Sequence, residues 1–151
     1  MNLRDLKRRM ADDQGSAITE FIVVAVLILL PMAYIVMSVM RVQAATLAST
    51  QAAREAGRAF TQAPSIPTAF AAAQMAATLA FEDQGFALPP DALAITCPEG
   101  PCLTPGTSAV VELRWSVELP WLPASLSERA GAAIPMRVRH VAPVDVFRVT
   151  L

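Results

Sequence analysis

Gly15-Ser16-Ala17-Ile18-Thr19-Glu20-Phe21, followed directly by IVVAVLILLPMAYIVMSVM over residues 22–40, is the stretch on which the fold turns. The twenty residues from Phe21 to Met40 carry no formal charge. As a helix rising about 1.5 Å per residue they span roughly 30 Å, the thickness of a bilayer's hydrocarbon core. One carboxylate, Glu20, stands at the mouth of the run, with Ser16 four and Gly15 five positions before it. A charge held at the centre of a membrane helix costs about 2.5–3.5 kcal/mol on insertion scales, and less near the edge. Glu20 is therefore either a hydrated marker of the interface or a group with a partner.

On the amino-terminal side, residues 1–14 form a short charged tail with Arg4, Lys7, Arg8 and Arg9. Beyond the span come Arg41, Arg54 and Arg58. The small excess of basic residues before the span places the tail in the cytoplasm and the rest outside. A cleaved secretory signal is the competing reading. Its apolar region runs to about 7–15 residues before a small-residue cleavage site. Val42-Gln43-Ala44 offers such a site, which would leave a soluble chain beginning near Ala45, but it follows a longer apolar run. Pro31 falls inside the span, where a membrane helix tolerates the lost backbone bond if neighbours compensate.

The helical signal continues past Arg41. Residues 42–60 contain no proline and are rich in alanine, the best helix former. Two rows of small residues recur at spacing four: Ala44, Ala48, Ala52, Ala56 and Ala45, Ser49, Ala53, Gly57. Such rows let another helix approach closely. One helix from about Ala17 to Phe60 is expected, roughly 65 Å long. Pro64 and Pro67 bound a break. Thr68 to Asp83 then reads as a second helix stopped by Gly85, with Phe70, Ala73, Ala77 and Phe81 on the face turned to the first helix.

After Pro89-Pro90 the period becomes two. Leu93, Ile95 and Cys97 alternate with Ala94 and Thr96; Val111, Leu113, Trp115, Val117 and Leu119 alternate with polar residues; Ile134, Met136 and Val138 alternate with Pro135, Arg137 and Arg139. These predict a small antiparallel sheet of three or four strands packed on helix. Val144 to Val149 slips phase at Val146, which predicts a bulge or a break. Trp121, in a stiff loop between Pro120 and Pro123, is placed to touch the membrane surface or a partner, or to cover one end of the sheet. The fold class is α+β: a long membrane helix with an alanine-rich extension, a second helix and a small sheet. The division is residues 1–15 as a cytoplasmic leader, 16–40 as the span and 41–151 as an extracytoplasmic domain.

A net charge of −1 gives no broad basic surface for nucleic acid. Two cysteines and one histidine leave little for metal or redox chemistry. Cys97 and Cys102 enclose Pro-Glu-Gly-Pro, a spacing that fits a structural disulfide outside the cytoplasm and not a CxxC redox pair. His140 has no serine or cysteine nucleophile beside it in sequence. No catalytic constellation and no cofactor motif is expected.

The segment from Gly15 to Phe21 resembles the processing site of type IV pilin-like precursors, with glycine before the cut, glutamate fifth in the mature chain and an aromatic sixth. Counted from Ser16, Glu20 is fifth and Phe21 sixth. With the basic leader, the AAREAGRAF stretch (52–60) and the closing HVAPVDVFR (140–148), the chain resembles the TadE-like family, pseudopilins of the tight-adherence pilus systems. The resemblance implies cleavage after Gly15 by the dedicated prepilin peptidase. Ser16 stands where some pilins carry a methylated phenylalanine. It further implies that Glu20 acts in subunit assembly, with other pilin or pseudopilin subunits and the assembly platform as partners. Major pilins of these systems are generally much shorter, so a minor or assembly component is implied. Two other classes stay open: an unprocessed single-pass anchor presenting its sheet to an envelope partner, and a conventionally secreted protein.

Overall fold

The computed structural model describes residues 3–120 and 133–148, with side chains from residue 17 onward. The order of elements is α1 (Leu3–Gln62), α2 (Ile66–Glu82), β1 (Leu93–Thr96), β2 (Ser108–Glu118) and β3 (Ala133–Pro143). The chain is thus α+β, with a long apolar amino-terminal helix, a second helix and a three-stranded antiparallel sheet ordered β1-β2-β3. It divides into two compact units, Met1–Val39 and Met40–Leu151.

The first unit is helical from Leu3 onward. The helix begins well before Ala17, where the sequence reading started it, because residues 3–14 hold neither proline nor glycine and are mostly good helix formers. Pro31 is accommodated inside α1. Nearby, the Ser38 hydroxyl donates to the Tyr34 carbonyl at 2.8 Å, the usual back-bond of a helical serine to the residue four before it. The segment from Ala17 is long and apolar enough to cross a membrane, and none of its most apolar window is buried.

The second unit is built on the alanine-rich part of α1. Ala45, Ala48, Ser49, Ala52, Ala53 and Ala56 are fully buried, so both small-residue rows enter the core. In the row ending at Gly57, Ser49 and Gly57 face the sheet. A Cβ added at Gly57 would stand 2.9 Å from the Ala142 Cβ and 3.1 Å from the His140 ring. Only glycine permits that approach.

Helix α2 starts at Ser65, whose amide donates to the Thr68 hydroxyl at 3.1 Å, with Pro67 in the first turn where no amide donor is required. Past its end, Phe86 donates to the Phe81 carbonyl and Gly85 to that of Glu82, both at 2.9 Å. Gly85 supplies the left-handed φ of 73° that this closing turn needs. The buried face of α2 is Ala69, Ala73, Ala77, Ala80 and Phe81. Phe70, expected on that face, is 44% exposed and meets Phe60 edge-on at 5.1 Å. Phe70 thus borders the face that the alanines and Phe81 fill.

Strand β2 is central. Val111, Leu113 and Val117 are fully buried, while Arg114, Ser116 and Glu118 face outward. Leu93 pairs with Leu113 on one side, and Val138 with Leu113 on the other. The chain breaks strand after Pro143. Val144 is buried, and the Asp145 carboxylate accepts the Phe147 amide at 2.8 Å, turning the chain away. Trp121 and Pro123 of the proline-rich loop lie outside the described residues.

Candidate functional site

The residues singled out by sequence fall in two places. Gly15, Ser16, Glu20 and Phe21 all lie within the continuous helix α1. Ser16 and Glu20 are four positions apart, about 6 Å along the axis, which puts them on one helical face. An amino terminus created at Ser16 would therefore start on the face that carries Glu20. Glu20 is exposed and has no ion-pair partner among the described residues. Phe21 is 73% exposed. Because the backbone is helical through the Gly15–Ser16 bond, access by a peptidase needs the helix to open there. Glycine is the weakest helix former after proline, by about 1 kcal/mol against alanine, and marks the place where opening is easiest.

Cys97 and Cys102 are joined by a disulfide, their Cα atoms 5.4 Å apart. The bridge closes the turn that leaves β1. The Glu99 carboxylate accepts the Ser108 amide at 3.0 Å and ties this turn to the start of β2. Leu103, next along, is buried at a left-handed φ of 67°, a conformation that disfavours side chains. The two sulfurs are tied up in a structural link, and no free cysteine remains.

Two contacts of the second unit carry its architecture and had no sequence signal. The Trp115 indole donates to the fully buried Ser49 hydroxyl at 2.8 Å, and that hydroxyl donates to the Ala45 carbonyl at 2.7 Å. Phe81 and Phe86 pack edge-on against the same indole at 4.8 and 5.2 Å, and the Arg41 guanidinium lies 4.3 Å over the Phe86 ring. At the other end, the Arg148 guanidinium donates to the carbonyls of Thr61 and Ala63, which the end of α1 leaves without helical partners. Both contacts join residues far apart in sequence, so periodicity cannot reveal them.

His140 is half-buried on the inner side of β3, against Gly57. Among the described residues no three histidine, cysteine or carboxylate side chains are grouped to hold a metal ion. Glu20, five positions after Gly15, is the only charged residue between Asp13 and Arg41. No protein-family model, no curated protein and no solved structure matches the chain.

Proposed function

We propose that this chain is a pseudopilin or minor pilin-like component of a tight-adherence, type IVb-like pilus or a related secretion filament. It is anchored by one membrane span, with the amino terminus cytoplasmic and the 41–151 domain outside. The prepilin peptidase removes residues 1–15, and the processed chain takes part in initiating or assembling the filament with other pilin subunits and the assembly platform. It needs no cofactor and catalyses no reaction.

The observation that carries this reading is Glu20. It is the only charged residue between Asp13 and Arg41, it lies in α1, and it is exposed five residues after a glycine. An exposed carboxylate at the edge of lipid has a use if a cation comes to it. The new α-amino group at Ser16 of a neighbouring subunit supplies one, and pairing lowers the cost of keeping both charges among apolar helices. The small domain behind the span, built on the same helix, supports a pilin-like layout.

The test is a Glu20→Ala chain expressed in its own host beside the native partners. Leader removal should proceed while filament formation drops. Normal filaments from this variant would remove the charge pairing. The reading of an unprocessed anchor has one observation in its favour, the unbroken helix across Gly15–Ser16. It expects Gly15 and Glu20 to be dispensable.

A further inference from the structure

Among the described residues β3, of 11 residues, is an edge strand that pairs only with β2. Its ladder shows which backbone groups stay open. Beyond the rung Ser108–Pro143, the Val144 amide donates to the Thr107 carbonyl at 2.8 Å. In an antiparallel pair, bonded and non-bonded rungs alternate. Even-numbered residues of β3 therefore bond to β2, and odd-numbered ones turn their amides and carbonyls to the open edge. Pro135 and Pro143, which have no amide hydrogen, both fall in the odd set, as this phase requires.

Between these prolines the open edge offers the amides of Arg137, Arg139 and Val141 with their carbonyls. All three side chains are exposed, and Val141 is 50% accessible. Prolines and arginines blunt an edge against indiscriminate pairing. Here they also confine any added strand to Arg137–Val141.

Charge tells what such a strand carries. Arg137 stands directly across from Arg114, a like-charge pair that disfavours the sheet. Glu112 forms an ion pair with Arg114 and faces Arg139 across the ladder. Among the described residues the outer face of β2 and β3 sets three arginines against two carboxylates, Glu112 and Glu118; Glu118 stands across from Ala133, four positions along β2 from Arg114, and Arg137 has no ion-pair partner.

We infer that the open edge of β3 from Arg137 to Val141 receives an extended segment of a partner protein by strand addition, with carboxylates on the segment's outward positions meeting Arg137 and Arg139. Backbone bonds supply the fit, and the arginines select an acidic sequence. This site is independent of leader cleavage and of Glu20.

The experiment uses the full chain in detergent micelles, labelled for amide exchange by NMR, with two synthetic peptides. One alternates valine with glutamate, and the other alternates valine with lysine. The glutamate peptide should slow exchange at Arg137, Arg139 and Val141 and leave the β2-facing amides as they were; the lysine peptide should do neither. Val141→Pro removes one outward amide without touching the bonds to β2, and should weaken binding by about two- to tenfold, the worth of one net hydrogen bond. Arg137→Ala should weaken the glutamate peptide and leave the Val141→Pro effect intact. Absence of protection at these amides in the unsubstituted chain would overturn the inference. So would equal binding of both peptides. Protection that rises with protein concentration alone would overturn it in favour of a second copy of this chain. Perturbation of the arginines by anionic vesicles without amide protection would overturn it in favour of lipid headgroups.

Discussion

Ser49 and Trp115 are joined by a hydrogen bond of 2.8 Å across 66 residues of sequence, and this bond sets the height of the sheet on the helix. Among the described residues Ser49 is the one buried polar residue, and its hydroxyl is used twice, accepting from Trp115 and donating to Ala45. Ser49→Ala strands the half-buried indole N–H, so the loss should be about 1–3 kcal/mol. Trp115→Phe leaves Ser49 bonded to Ala45, so it should lose packing and one bond but strand no polar group. A double-substitution cycle by chemical denaturation in detergent should give a coupling above about 0.5 kcal/mol. Additive losses would mean the two side chains act separately.

At Gly57 the helix backbone lies close against the sheet. Gly57→Ala gains about 1 kcal/mol in helix propensity. It also forces a Cβ into Ala142, an overpacking worth about 1–3 kcal/mol in the other direction. The net expectation is a loss of stability, larger for Gly57→Val, measured by thermal unfolding. A stabilised Gly57→Ala chain would show that the strand can shift to make room.

Arg148 closes the end of α1 from the far end of the chain. Arg148→Ala leaves the Thr61 and Ala63 carbonyls without this donor and should cost about 1–2 kcal/mol. Amide exchange at the last turn of α1 should speed up. Arg148→Lys should recover only part of the loss, because one ammonium does not reproduce a planar fork on two carbonyls.

Gly15 is the weak point of the helix that crosses the proposed scissile bond. Gly15→Ala should stiffen α1 there by about 1 kcal/mol and slow leader removal. The comparison is the half-time of processing in pulse-labelled cells, with equal expression of both chains. Unchanged processing would mean that opening of the helix at Gly15 does not limit the cut.

The elements that sequence made legible are those with a strong period. The charge-free run from Phe21 to Met40 and the alternation from Val111 to Val117 each leave one reading open, and each appears as a helix or strand. Residues 3–14 stand out in the sequence for their charge, and their helix propensity extends α1 back to Leu3. On α2, Phe70 reaches Phe60 of α1 but stays partly exposed at the rim of a face that Ala69, Ala73, Ala77, Ala80 and Phe81 fill. Ser49 with Trp115, and Arg148 with Thr61, are long-range contacts between residues that look ordinary alone. The open edge of β3 required the ladder's phase, which no single strand's sequence contains.

The central claim is most directly tested by intact mass and amino-terminal sequencing of the membrane-associated protein from its own host, with an active prepilin peptidase present. The account predicts a chain that begins at Ser16. A chain that begins at Met1 or Asn2, or one released near Ala45, would contradict it.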